Sequence, residues 1–123
     1  MAIIPAPTRP THELEGTRFT SLATPTRGCA ETSVWMVEID PGTPATPHSL
    51  TREEVFVVLD GTLTIHMGEG DDPERHELAA GSVLVVQSGT ALQLSNRGGT
   101  ELRLFIYGAP PERGEATFLP TIE

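Results

Sequence analysis

No apolar stretch of this chain runs far before a glycine or a proline interrupts it, and that punctuation governs what it can fold into. Twelve Gly and eleven Pro are spread along 123 residues, which argues for short elements joined by turns and against long helices. Between the interruptions, side chains alternate with the period of a strand. Trp35, Val37 and Ile39 share one face of Thr32–Asp40, and Met36 and Glu38 share the other. Thr62–Met67 sets Leu63, Ile65 and Met67 against Thr64 and His66 in the same way. Further short strands are predicted over 18–23, 54–59, 75–78, 91–95 and 102–107, and the unbroken apolar run Val83–Val86 suits a buried strand. The Asp60-Gly61 step between two of these runs predicts a hairpin. Many short strands without helical periodicity describe an all-β antiparallel sandwich or barrel.

The length suits one domain with one core. An extended N-terminal arm is expected over residues 1–11, where Pro5, Pro7 and Pro10 recur, followed by a barrel over 12–111. Pro110 and Pro111 end the sheet and leave a C-terminal tail over 112–123. A net charge of −9 disfavours nucleic acid and anionic membrane surfaces as partners, because both need a positive patch. All eight basic residues are Arg, a compositional bias rather than a site. Cys29 is the single cysteine, which excludes an intrachain disulfide and suits a reducing compartment. Residues 1–10 lack the basic start and apolar run of a signal peptide, and no stretch is long and apolar enough for a membrane span. The expected location is the cytoplasm.

Two motifs carry a family resemblance. The first runs from Gly42 to Gly61, with His48 and Glu54 at set spacing between them and Leu50 two residues after His48. The second places Gly81, Gly89 and Asn96 in register, with Gln87 and Leu92 at the two remaining positions. Together they resemble the paired motifs of the cupins over roughly residues 32–108. The resemblance implies an antiparallel double-stranded β-helix, or jelly-roll barrel. It also implies a homodimer built on the outer face of one sheet, with which the apolar residues on both faces of several strands are compatible.

In metal-binding cupins the ion is held at the positions that are His48, Leu50, Glu54 and Leu92 here. Leucine offers no lone pair, and selective divalent binding generally takes three or more protein ligands. No cofactor is therefore expected, although a divalent metal completed by His66 stays open as an alternative. Two leucines at that centre make the interior drier, as small-molecule pockets commonly are. Trp35, Phe56 and Leu94 are candidate pocket neighbours, Phe56 sharing the parity of Glu54 and Leu94 that of Leu92, although each singly reads first as ordinary barrel core. Gln87 offers a hydrogen bond to a ligand or merely replaces a turn proline. His48 and Glu54, converging in a dry space, form a candidate acid–base pair, or a remnant of a metal site in which each satisfies the other.

His12 and His76 show no ligand spacing, and Cys29 has no histidine beside it to make it a nucleophile. Three functions follow. The first is a cupin that binds or senses a small, largely apolar molecule. The second is a metal-independent isomerase, cyclase or lyase using His48 and Glu54. The third is a metal-dependent oxygenase with an unusual ligand shell.

Overall fold

The computed structural model describes residues 1–50 and 52–109, with Thr46 and His48 described at the backbone alone. The expected tail over 112–123 lies outside the described residues. Among the described residues ten strands follow one another: β1 (His12–Leu14), β2 (Thr17–Ala23), β3 (Ser33–Ile39), β4 (Thr46–Ser49), β5 (Glu54–Asp60), β6 (Thr62–Met67), β7 (Glu74–Ala79), β8 (Val83–Val86), β9 (Ala91–Ser95) and β10 (Leu102–Gly108). A 3-10 turn, Pro25–Arg27, separates β2 from β3. Among the described residues no helix is long and apolar enough to cross a membrane.

The strands form two sheets, one of six strands in the order β1-β2-β3-β10-β5-β8 and one of four in the order β4-β9-β6-β7. Every pairing is antiparallel. The fold is thus all-β and antiparallel, as the short alternating runs require. Residues directly opposite in an antiparallel pair lie on the same face, so the core can be read from the register. Trp35, Ile106, Phe56 and Leu84 make one inward row, and Val37, Leu104 and Val58 the next. The smaller sheet answers with Leu94 opposite Ile65 and Leu92 opposite Met67. These side chains pack as one apolar cluster, and burial of this kind stabilises by roughly 1.5–3 kcal/mol for each large side chain.

Two local expectations are corrected. Asp60-Gly61 does not close a hairpin: β5 pairs with β10 and β8, while β6 pairs with β7 and β9. The glycine is instead a corner at which the chain leaves one sheet for the other. Its φ is 80°, and a Cβ there would lie 2.6 Å from the Glu101 carbonyl oxygen, so the backbone of the neighbouring connection passes where a side chain would be. Second, Val83–Val86 is not a buried strand. It forms the edge of the larger sheet, leaving Val83 59% and Val85 51% exposed while Val86 is buried.

Asn96 closes the connection between β9 and β10 from inside. Its side chain is 1% exposed. Nδ2 donates to the carbonyls of Ile39 and Thr100, both at 2.8 Å, and Oδ1 accepts from the Gly98 amide at 3.1 Å. The Gly42 amide donates to the Asn96 carbonyl at 3.0 Å. The last residue of the second motif thereby ties it to the first residue of the first motif.

Candidate functional site

Glu54 opens β5 and shares its parity with Phe56 and Val58, so it faces inward from the end of the strand. It stands opposite Gly108 of β10 on one side and Val86 of β8 on the other. Gly108 in turn stands opposite Ser33 of β3. One row across the mouth of the sheet therefore reads Ser33, Gly108, Glu54, Val86, directly outside the row of Trp35, Ile106, Phe56 and Leu84.

The Glu54 carboxyl folds over the glycine: a Cβ on Gly108 would lie 3.2 Å from Glu54 Cγ and 3.6 Å from Oε2. Oε1 is buried and has no hydrogen-bond partner. Removal from water disfavours the charged form, and burial pushes the carboxyl up to about 7 from 4.5. Ser33 Oγ is likewise buried without a partner.

Leu50 and Leu92 lie in the core at 3% and 2% exposed. Leu50 is held there by its backbone, the amide donating to Thr90 and the carbonyl accepting from Gly89. Trp35, Phe56 and Leu94 belong to the same closely packed cluster. The five side chains expected to line an open apolar pocket are thus in contact with protein nearly all round. The register places His48 opposite Leu92, but its side chain, and with it the expected pairing to Glu54, lies outside what is described.

Two other expected site residues are placed elsewhere. His66 alternates with the inward Ile65 and Met67 and stands opposite Gln93 and Arg75, on the reverse face of the smaller sheet. Its Nδ1 is buried there without a partner, and it does not converge with Glu54. Gln87 is exposed, in the turn after β8 with the parity of the exposed Val83 and Val85, so it does not line the interior. Two of the four family positions are buried leucine, and His66 faces away from Glu54. Among the described residues no three His, Cys, Asp or Glu side chains come together.

Sequence reasoning missed Ser33 and Gly108. They are far from Glu54 in the chain and meet it only through strand pairing, so no local pattern marks them. An open groove of about 540 Å³ runs along the outside of this end of the sheet, lined by residues including Arg52, Glu53, Val55, Ser88 and Tyr107. Gly108 lines it too, and so is common to the groove and to the Glu54 contact.

A family model for the cupin domain matches residues 35–107. Auxin-binding protein 1 of Arabidopsis thaliana is 32% identical over 90 residues, covering 68% of this chain and 46% of that protein. The chain thus spans less than half the length of that relative. Hydroxypropylphosphonic acid epoxidase from S. wedmorenis has a similar structure, with a TM-score of 0.72 at 18% identity over 86% of this chain and 58% of that one. KdgF from Halomonas sp. gives a TM-score of 0.67 at 18% identity, over 83% and 86% of the two chains. At such identities the structural likeness is one of fold. The match over most of the barrel, with both motifs inside it, makes this chain a member of the cupin family.

Proposed function

We propose that this cupin binds a small, largely apolar molecule without a resident metal, at the end of the barrel where Glu54 stands. One observation carries the reading. Two of the family's four ion-holding positions are the buried Leu50 and Leu92, and Glu54 at a third is a desolvated carboxyl with an unpartnered oxygen. Such a group is stabilised by whatever brings a hydrogen bond to it. Auxin-binding protein 1 is named for binding a small molecule, which is consistent with this use of the barrel.

The test has two parts. Metal analysis of protein purified without chelator is expected to find less than stoichiometric iron, manganese, zinc or nickel. A thermal-shift screen of small apolar compounds is expected to find ligands whose effect weakens in Glu54→Gln. One equivalent of tightly held metal, or ligands indifferent to Glu54, would refute the reading.

A second reading draws on the same carboxyl. A group that titrates near 7 suits general acid–base work at neutral pH. Turnover lost in both Glu54→Gln and His48→Ala, with folding intact, would make the protein a metal-independent isomerase, cyclase or lyase.

The chain is also proposed to form a cytoplasmic homodimer. The outward rows Val34, Tyr107, Val55, Val85 and Met36, Phe105, Val57, Val83 give the larger sheet an apolar outer face at one end. Its other end is charged, with Arg103 3.2 Å from Glu38 and Arg18 3.0 Å from Asp40. A second copy covering the apolar end would remove it from water. A monomeric mass by light scattering at micromolar concentration would argue against this.

A further inference from the structure

We infer that the N-terminal arm and the 3-10 turn build a second binding site, a groove that takes a small doubly charged oxyanion through Arg9 and Arg27. It shares no residue with the row at Glu54 and does not depend on the reading above. The arm, residues 1–11, is held at both ends. At its start Ala2 packs against the turn, where a Cβ on Gly28 would lie 2.8 Å from Ala2 Cβ. At its end the Thr11 amide donates to the Phe19 carbonyl at 3.0 Å, and Thr11 Oγ1 accepts from the Ser21 amide at 2.9 Å. Pro5, Pro7 and Pro10 fix φ in the span between, so less chain entropy is left to lose on binding. Arg27 comes from the turn Pro25–Arg27, which closes as the Arg27 and Cys29 amides donate to the Thr24 carbonyl at 2.8 and 3.1 Å. Arg9, Thr8 and the three prolines line a groove of about 730 Å³ together with Arg27, a volume within the range of small-molecule sites.

Charge selects the occupant. The chain carries 17 acidic residues, yet residues 1–12 and 16–30 contain Arg9, Arg18 and Arg27 and no acid. Arg18 is engaged by Asp40 and Glu101, and Arg75 and Arg103 also have carboxylate partners. Among the described residues neither Arg9 nor Arg27 forms an ion pair. Each guanidinium offers a planar fork of N–H donors that matches an oxyanion. A monocarboxylate neutralises one of them, whereas a dianion neutralises both. The net charge of −9 opposes any anion, but at physiological salt its reach is about 8 Å, which favours the local pair. Among the described residues no aromatic side chain lines the groove, so a nucleobase or aryl ring has nothing to stack on. The ligand class is therefore a small aliphatic phosphate monoester or dicarboxylate.

The test uses the full chain at pH 7.5 and about 0.15 M salt, with methyl phosphate, succinate and acetate as probes in calorimetric titration. At least one dianion is expected to bind tenfold or more tightly than acetate, and the tighter of the two identifies which source the groove prefers. Arg9→Gln and Arg27→Gln are each expected to weaken that dianion by about tenfold or more, the usual size of a hydrogen bond between charged groups. Without ligand both variants are expected to melt as the wild type does, because neither side chain leaves a partner behind. Arg97→Gln removes an exposed arginine outside the groove; it changes the net charge equally and is expected to leave the affinity unchanged. No binding of either dianion, equal binding of acetate, or losses no larger in Arg9→Gln and Arg27→Gln than in Arg97→Gln would overturn the inference.

Discussion

Glu54→Gln removes a carboxyl that the folded protein keeps protonated over a range in which the unfolded chain does not. In the unfolded chain the group titrates near 4.5, and in the fold desolvation pushes it up to about 7. Below 4.5 both states hold the proton and the group contributes nothing to the pH dependence. Between those values the folded state binds more protons than the unfolded one, so stability falls as pH rises, and above 7 the whole cost is present. The full span is worth about 3 kcal/mol. The protein's isoelectric point near 4.8 makes solutions at the lower end prone to association, so the practical window runs from pH 5.5 to 8.5. Across it the Glu54 contribution changes by about 2 kcal/mol, most of it below 7. Glutamine has the same shape and does not titrate, and every other ionisable group is common to both proteins. Urea denaturation at pH 5.5, 6.5, 7.5 and 8.5 reads the difference directly. The stability of Glu54→Gln relative to wild type is expected to rise by about 2 kcal/mol across the series, a shift of roughly 1 M in midpoint. Parallel profiles, with a constant difference at all four pH values, would refute the desolvated carboxyl and with it the physical basis of the site.

Three further outcomes are expected. Asn96→Ala leaves the carbonyls of Ile39 and Thr100 and the Gly98 amide without their side-chain partner, and is expected to cost about 2–4 kcal/mol in thermal or chemical denaturation; a loss below about 1 kcal/mol would show that water takes its place. Gly61→Ala places a Cβ against the Glu101 carbonyl at positive φ and is expected to destabilise by more than about 1 kcal/mol, whereas Gly99→Ala, with open space around it, serves as a control near zero. Val83→Glu with Val85→Glu alters two exposed edge residues; the double variant is expected to stay folded, within about 1 kcal/mol of wild type by denaturation, and to elute as a monomer in size-exclusion chromatography with light scattering, against a dimer for the wild type.

The sequence by itself determined where strands form and what occupies the family's ion-holding positions. Alternation marks Thr62–Met67 and Ala91–Ser95 residue for residue, because a strand's two faces meet different solvents and the pattern records that locally. Leu50 and Leu92 were readable for the same reason: the motif spacing carries their identity wherever the chain folds. Partnership was not readable. The turn chemistry of Asp60-Gly61 is that of a hairpin, yet the strands on either side belong to different sheets, and β8 reads as core while its edge position exposes half of it. The row that joins Ser33, Gly108 and Glu54 is further still from any local signal. Backbone preference and side-chain period act over a few residues, whereas the choice of neighbouring strand is made by contacts distant in the chain. Only the pairing of β3, β10 and β5 puts a serine, a glycine and an acid side by side at the mouth of the barrel.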